Sequence, residues 1–310
     1  MASQEQISGL VMQYRSGFYT VETRRGCFTC QLRGRLKRGA GQDLVTIGDR
    51  VEISLLQDGS GVIEAIQPRQ RALVRLAPTP RGSEMQALLA NPDQIALVFA
   101  CKNPNPHLRM LDRFLVICEK QGVPPLIVVN KMDLTTLEDA QALFSLYPPL
   151  GYPVVYTSAH SGYGIAELHS RLKDKITGLV GPSGVGKTSL LNAIQPELGL
   201  EVRSISGGGQ RGRHATVVRA MFSLEGGGYL ADLPGLRSVG LWDIQPEELD
   251  GYFPELRPLV AHCQYSDCTH REEPGCAIRQ AVQHGSISPE RYDSYLRLRA
   301  GEEEQHERSA

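Results

Sequence analysis

The stretch GPSGVGKTSLLNAI, residues 181–194, decides the fold of this chain. It fits the pattern G-x-x-x-x-G-K-[ST], with Gly181, Gly186, Lys187 and Thr188 at the fixed positions. A glycine-rich turn lets backbone N–H groups approach a phosphate chain, the lysine contacts the β- and γ-phosphates, and the threonine hydroxyl holds Mg²⁺. The apolar ITGLVG before it predicts a strand, and KTSLLNAI predicts a helix whose N-terminus faces the anion. The alternative is a chance strand-to-helix turn.

A second motif, NKMD at residues 130–133, indicates which base is bound. It follows the continuous apolar run PPLIVVN, which is the pattern of a buried parallel strand. The carboxylate of Asp133 can accept hydrogen bonds from N1–H and the 2-amino group of guanine. Adenine offers neither donor and would leave the carboxylate unpaired. A solvated Asn/Asp cluster is the alternative for NKMD alone, but beside a phosphate-binding loop the motif predicts GTP.

Three further segments complete the predicted site. In PVVYTSAHSGYGIAEL, Ser158 and Ala159 follow a short strand and suit a loop that offers N–H groups to the guanine O6. In GGYLADLPGL, Asp232 ends a strand and would hold a Mg²⁺-bound water, while the Gly235 N–H would contact the γ-phosphate. The glycine-rich, basic SISGGGQRGRHATVV is typical of a switch loop, and Thr216 is its best candidate for a Mg²⁺ contact.

Hydrolysis needs a positioned water and neutralised charge at the γ-phosphate, which predicts catalytic roles for Lys187, Thr216 and His214. Leu236 stands where many GTPases carry a water-orienting glutamine, so His214 in the switch is the best replacement; an ordinary loop histidine is the alternative. Thr188 and, through water, Asp232 are the predicted magnesium ligands. The predicted GTP-binding residues are Asn130, Lys131, Asp133, Ser158, Ala159, Gly181, Pro182, Ser183, Gly184, Val185, Gly186, Lys187, Thr188, Ser189, Asp232 and Gly235.

The base-binding motif precedes the phosphate-binding loop, the reverse of the usual GTPase order. The predicted strands are DQIALVFA (93–100), PPLIVVN (124–130), PVVYTS (153–158), ITGLVG (176–181), TVVRAMFSL (216–224) and GGYLADLP (227–234). This is one parallel sheet entered at its fourth strand. Loops at the carboxyl ends of parallel strands form the same site whichever strand comes first. The order therefore predicts a circularly permuted P-loop GTPase domain.

The permuted order, with GPSGVGKTSL, RHAT and DLPG, resembles the ribosome small-subunit-dependent GTPase A family, RsgA, over nearly the whole chain. The resemblance implies a cytoplasmic, monomeric, Mg²⁺-dependent GTPase that acts in late maturation of the small ribosomal subunit, contacts its rRNA and is stimulated by it. Two positions depart from the family pattern: Ala215 replaces a threonine, and Thr188 replaces the more usual serine. The alternative function is a GTP-gated RNA-binding module whose hydrolysis is incidental.

Residues 17–69 predict short strands separated by tight turns, as in a small Greek-key barrel, and the resemblance implies an OB-fold. Cys27 and Cys30 form a C-x-x-C, but residues three apart on a strand point to opposite faces, so we expect no metal there. A basic stretch without acidic residues favours RNA binding, with a solvated strand face as the alternative. Its members are Arg24, Arg25, Arg33, Arg35, Lys37 and Arg38.

The sequence CQYSDCTHREEPGC places three thiols and an imidazole, those of Cys263, Cys268, His270 and Cys276, within one short segment. Three thiolates and one imidazole can complete a tetrahedral structural zinc site, which the resemblance also implies; reduced surface cysteines are the alternative. Two helices are predicted beyond it, the second capped by Ser288. Three arginines on that helix either contact RNA or are merely solvated: Arg291, Arg297 and Arg299.

Composition sets the outer limits. The 310 residues carry 33 Lys+Arg and 34 Asp+Glu, so net charge gives no hint of nucleic acid, and no apolar run of membrane-spanning length stands out. Seven cysteines in an intracellular GTPase indicate thiols and metal ligands rather than disulfides. The expected α/β architecture has four parts: an OB-fold barrel (1–70), a linker without sustained periodicity (71–92), the permuted GTPase domain (93–244) and a helical zinc-binding domain (245–310).

Overall fold

Five strands at the amino terminus close into a barrel. In this computed structural model, which describes residues 6–34, 36, 45–79, 82–198, 219–233 and 244–301, the strands pair in the order β1-β2-β3-β5-β4 and β4 returns to β1. Their bounds are β1 Gln6–Arg15, β2 Phe18–Thr23, β3 Gly26–Leu32, β4 Arg50–Leu55 and β5 Gly61–Ile66. The barrel is OB-like, as expected. Cys27 is exposed and Cys30 is buried, so the two thiols diverge as predicted.

The first strand is not among the strands predicted from the sequence, because its apolar residues do not alternate. Leu10, Val11 and Met12 are consecutive and all buried. Val11 belongs to the barrel core, whereas Leu10 and Met12 pack in the core of the neighbouring domain. A register shift between Val11 and Gln13 further breaks the period. A strand buried on both faces loses the period-2 pattern by which half-buried strands are recognised.

The stretch expected to be an aperiodic linker contains an antiparallel hairpin, β6 Ala72–Thr79 and β7 Gly82–Ala90. Leu73 and Leu89 lie in the largest core, and the Gln121 side chain bonds the backbone N–H (2.9 Å) and carbonyl (3.2 Å) of Val74. A register shift after Leu73 and the Pro/Arg content obscure its alternation in the sequence. The linker expectation was therefore wrong in its local structure.

The GTPase sheet has the predicted strands in the order β10-β9-β8-β11-β13-β12. Neighbours from β10 to β13 run parallel, but β12 pairs antiparallel with β13, which corrects the expectation of a wholly parallel sheet. The reason is the short turn LEGGG, closed by the Leu224 N–H on the Gly228 carbonyl at 2.9 Å, since a parallel return needs a much longer crossover. The strands are β8 Gln94–Ala100, β9 Pro125–Asn130, β10 Val154–Tyr156, β11 Ile176–Val180, β12 Arg219–Ser223 and β13 Tyr229–Asp232.

Helices cover both faces of this sheet. They are α1 Leu108–Gln121, α2 Leu137–Leu143, α3 Ile165–Leu172 and α4 Lys187–Ile194, while α5 Ala277–Gln283 and α6 Pro289–Arg299 belong to the carboxyl-terminal region. Buried residues of α1 and α2 join one core, and those of α3 and α4 join the core on the opposite face. Within the described ranges, no helix is long and apolar enough to cross a membrane. Two packed faces fix the sheet, and with it the edge where its strands end.

The carboxyl-terminal region combines α5 and α6 with single-turn segments around a third core. The Ser288 hydroxyl accepts from the Arg291 N–H at 3.3 Å, so the predicted cap is confirmed. The Arg291 side chain is 2% exposed, and its guanidinium donates to Asp112 on α1 and to Glu255, both at 2.6 Å. Neither alternative given for Arg291, RNA contact or a solvated helix surface, holds, because its buried guanidinium binds this region to the GTPase domain through Asp112.

Candidate nucleotide site and metal centre

The predicted nucleotide-binding loops meet at one edge of the sheet. NKMD follows β9, Ser158 follows β10, the glycine-rich loop follows β11, and Asp232 ends β13. Because these strands are parallel and pair with one another or with β8, their carboxyl ends lie side by side. The permuted order of the chain therefore leaves the arrangement of the loops intact.

The glycine-rich loop has a conformation that requires glycine at two fixed positions. A Cβ on Gly181 would lie 2.1 Å from the Val98 carbonyl oxygen, so the loop passes against β8 at backbone distance. Gly186 has φ 92°, and a Cβ there would lie 2.5 Å from the Asn130 side-chain nitrogen. The Lys187 ammonium donates to the carbonyls of Gly181 and Pro182, both at 2.7 Å. The loop thus curls around its own lysine, as a phosphate-binding loop does.

Asn130 joins three of the loops. Its side-chain amide donates to the Val185 carbonyl in the glycine-rich loop at 2.8 Å. Its oxygen accepts from the Ala159 N–H at 3.2 Å and from the Thr157 hydroxyl at 3.3 Å, both in the loop after β10. The side chain is buried, so these bonds are shielded from water. One asparagine therefore fixes the spacing between the glycine-rich loop, the NKMD turn and the loop after β10.

Asp133 lies in a single turn of 3₁₀ helix, Met132–Leu134, with its side chain exposed. The Ser158 hydroxyl donates to its Oδ1 at 2.5 Å, while the Ser158 oxygen accepts the Ser161 N–H at 3.1 Å. Each carboxylate oxygen has two lone pairs, so both can still accept from a ligand. The serine thus orients the carboxylate without exhausting its capacity.

Asp232 lies across from Leu179 in the register of β13 and β11, next to the start of the glycine-rich loop. Burial raises the pKa of its carboxyl group, and the positive charge of Lys187 opposes that rise. Thr188 is half-buried at the start of α4. These are oxygen ligands of the kind that Mg²⁺ takes. The predicted residues His214, Thr216 and Gly235 lie outside the described residues.

The cysteine and histidine side chains predicted to bind zinc come together in the carboxyl-terminal region. One ligand atom from each of Cys263, Cys268, His270 and Cys276 lies within 4.8 Å of all the others. The His270 Nδ1 is 3.5 Å from the Cys263 sulfur and 3.4 Å from the Cys276 sulfur, and those sulfurs are 4.0 Å apart. Tetrahedral zinc with bonds of about 2.3 Å to sulfur would place two sulfurs roughly 3.8 Å apart. The donor set and its spacing therefore fit a structural zinc ion.

Two carboxylates support this cluster, and sequence reasoning missed both. Asp250 lies 3.0 Å from the Nε2 of His270, which leaves Nδ1 turned toward the sulfurs. Glu273 accepts from the N–H groups of Thr269 and Arg271 at 2.7 and 2.9 Å, and hydrogen bonding led by the Thr269 hydroxyl lowers the pKa of Glu273 to about 2. Asp250 stands 20 positions before its histidine. Such a partner has no spacing rule by which the sequence could identify it.

Comparison with known proteins agrees with this geometry. Two family models match the chain, one described as the RsgA N-terminal domain over residues 8–63 and one described as the RsgA GTPase over residues 66–242. A small ribosomal subunit biogenesis GTPase RsgA from Gemmatimonas aurantiaca is 45% identical, with 94% of this chain and 96% of the relative covered. Its counterpart from Moorella thermoacetica is 43% identical, with 94% and 95% covered.

Two solved structures also share the fold. The crystal structure of YjeQ from Thermotoga maritima superposes with a TM-score of 0.79 at 36% identity, covering 96% of this chain and 98% of the other. YloQ, described as a circularly permuted GTPase, gives 0.74 at 31% identity, with 97% and 96% covered. The matches span the barrel, the permuted sheet and the carboxyl-terminal region alike. This chain is therefore a member of the RsgA family of circularly permuted GTPases.

Proposed function

We propose that this chain hydrolyses GTP to GDP and phosphate as a switch on the small ribosomal subunit during its late maturation. The observation that carries the nucleotide part is the set of hydrogen bonds made by Asn130, which ties the NKMD turn, the loop after β10 and the glycine-rich loop into one cleft. Asp133 binds guanine at one end of this cleft, and Lys187 binds the β- and γ-phosphates at the other.

In this proposal Thr188 holds Mg²⁺ directly and Asp232 holds it through water, and the ion neutralises charge on the phosphates. Lys187 would exchange its bonds to the loop carbonyls for bonds to phosphate oxygens. His214 and Thr216 complete the catalytic set, with His214 orienting the attacking water. Leu236 occupies the position where many GTPases have a water-orienting glutamine, and its apolar side chain cannot orient a water. This favours His214 for that role.

We further propose one structural zinc ion held by Cys263, Cys268, His270 and Cys276. The distances within the cluster and the Asp250 carboxylate behind His270 support it. Its role would be to stabilise the fold of the carboxyl-terminal region, because two of its ligands, Cys268 and Cys276, lie in the core of that region.

The ribosomal part of the proposal is supported by the names of the relatives, which describe small ribosomal subunit biogenesis GTPases. It places a cytoplasmic monomer on the rRNA of the subunit, with the barrel (1–70), the hairpin segment (71–92), the GTPase domain (93–244) and the metal-binding region (245–310) as its parts. Of the basic barrel residues, Arg33 pairs with the buried Glu64, and three lie outside the described residues: Arg35, Lys37 and Arg38.

Single-turnover cleavage of GTP, with and without small ribosomal subunits, tests this function. We expect slow cleavage by the free protein and acceleration of at least roughly 10-fold by saturating subunits, because contact with the subunit would position the attacking water and stabilise the charge at the γ-phosphate. Large subunits at equal concentration are the control. Equal cleavage rates in all three conditions, with GTP-dependent binding to RNA retained, would instead support a GTP-gated RNA-binding module.

A further inference from the structure

Cys101 lies directly beneath the NKMD turn. It follows β8, the strand between β9 and β11, and is 8% exposed. Its backbone N–H donates to the Asn130 carbonyl at 2.9 Å, and its thiol donates to the Lys131 carbonyl, also at 2.9 Å. Both bonds therefore reach the first two residues of the turn that carries Asp133.

The residue that receives the thiol bond has an unusual backbone conformation. Lys131 has φ 67°, in the left-handed region that residues with a Cβ seldom adopt. A residue with a Cβ keeps a left-handed backbone conformation where contacts with its surroundings hold it there. Here the Cys101 thiol bonds its carbonyl, and its own ammonium donates back to the Asn103 carbonyl in the loop after β8. The turn and the loop after β8 are thus joined in both directions.

The thiol is suited to remain a donor at neutral pH. Burial raises the pKa of Cys101, and the nearby negative charge of Asp133 acts in the same direction. A protonated thiol is a weak donor. Loss of this hydrogen bond should therefore change the direction of the turn more than the stability of the protein. A change in guanine recognition can therefore be distinguished from a change in folding stability.

We infer that Cys101 is a positioning residue for guanine recognition, which sets the course of the NKMD turn out of β9 and thereby directs the Asp133 carboxylate at the base. The inference rests on the proposed function, in which Asp133 binds guanine. A carboxylate that must meet two donors at once is more sensitive to a small rotation than one that meets a single donor. Cys101 should therefore affect chiefly the preference for guanine over a base that lacks the 2-amino group.

Inosine nucleotides lack that amino group and so serve as the probe. The experiment measures the dissociation constants of GDP and inosine diphosphate for the full chain and for the Cys101→Ala, Cys101→Val and Cys101→Ser variants. Alanine and valine cannot donate; alanine leaves the space of the thiol empty and valine more than fills it, whereas serine restores a donor. We expect the preference for GDP to shrink roughly 3- to 10-fold in the alanine and valine variants, the range of one hydrogen bond, and to return with serine.

A purely structural role gives a different pattern. Lower thermal stability with an unchanged preference for GDP in the alanine or valine variant would overturn the inference. Asp133→Asn, measured alongside, separates this failure from failure of the proposed function. If that variant keeps the wild-type preference for GDP over inosine diphosphate, Asp133 does not bind the base and the site itself is misassigned. If it loses the preference while the Cys101 variants keep it, only the role of Cys101 fails.

Discussion

Asp133 is the residue that we propose selects the base. The Ser158 hydroxyl holds its Oδ1, and Asn130 fixes the neighbouring loop, so the carboxylate direction is set before any nucleotide arrives. Asp133→Asn should weaken GTP binding by about 100-fold or more, since the amide cannot accept from both guanine donors and instead suits the 2-oxo group of xanthosine triphosphate. Nucleotide affinities measured by titration check this.

The control for that substitution is Asp139→Asn, which removes an exposed carboxylate from the first turn of α2. It should keep the wild-type order of affinities. A Asp133→Asn protein that still binds GTP at wild-type affinity would contradict the assignment of the base site.

His214 carries the prediction for the chemical step. His214→Ala should leave GTP affinity within a few-fold, because in the proposed site the glycine-rich loop and Asp133 provide the binding. Cleavage stimulated by small subunits should fall by roughly 100-fold, the scale of losing a water-positioning or general-base group. Single-turnover cleavage on saturating subunits measures it, with subunit binding assayed in parallel and His284→Ala as a control on an exposed histidine.

The His214→Ala protein should also stay on the subunit longer, because its GTP persists. Normal cleavage would remove the histidine from the mechanism. Lost subunit binding would assign it to docking instead.

Sequence motifs identify some residues of the site and miss others, for a physical reason. The glycines of the phosphate-binding loop and the NKMD motif can be recognised in the sequence, because each depends on local backbone geometry at a fixed spacing. Thr157, Asp250 and Cys101 act through partners on other elements, between 20 and 30 positions away. Only the folded chain brings these groups together, so spacing along the sequence carries no signal of them.

At the scale of elements, the sequence predicts the GTPase strands and most barrel strands but misses β1, which is shared by two cores, and the hairpin of β6 and β7. The GTPase strands have continuous apolar runs bounded by turns. By contrast, β1 faces two cores at once, and at its end Gln13 and Tyr14 pair with Ala220 and Arg219 on β12. This pairing makes the barrel and the GTPase sheet one continuous surface of strands, which no single-element pattern encodes.

The metal-binding segment gives a prediction at this scale. Purified protein should carry about one equivalent of zinc, since a structural ion contributes directly to folding. Cys268→Ser should lose the metal and expose the carboxyl-terminal region to proteolysis while GTP binding stays within a few-fold, because the nucleotide loops lie on other elements. Metal analysis and limited proteolysis measure these effects.

Cys27→Ser is the matched control, since that thiol is exposed on the barrel. It should retain zinc and the wild-type proteolysis pattern. Natively purified wild-type protein that contains no zinc would contradict the site.

For the whole molecule, the contact between the carboxyl-terminal region and α1 decides whether the parts move together. Val116 on α1 lies in the core of that region, and the guanidinium carbon of Arg291 lies 4.6 Å from the centroid of the Phe253 ring. The Asp112 carboxylate accepts hydrogen bonds from the Arg291 guanidinium, from the Ser294 hydroxyl at 2.5 Å and from the Tyr147 hydroxyl at 3.0 Å. A buried network with every member bonded holds two regions in one relative placement.

Arg291→Ala should therefore lower the free energy of unfolding by about 3–5 kcal/mol, because it leaves the carboxylates of Asp112 and Glu255 buried without their counter-charge. Arg297→Ala on the same helix removes a half-exposed arginine paired with Asp293, and should cost about 0–1 kcal/mol. Urea unfolding followed by fluorescence compares the two. Adding Asp112→Asn to Arg291→Ala should restore part of the loss, since one uncompensated charge is then gone. Equal effects of the two arginine substitutions, or strict additivity with Asp112→Asn, would show that the buried network does not hold the regions together.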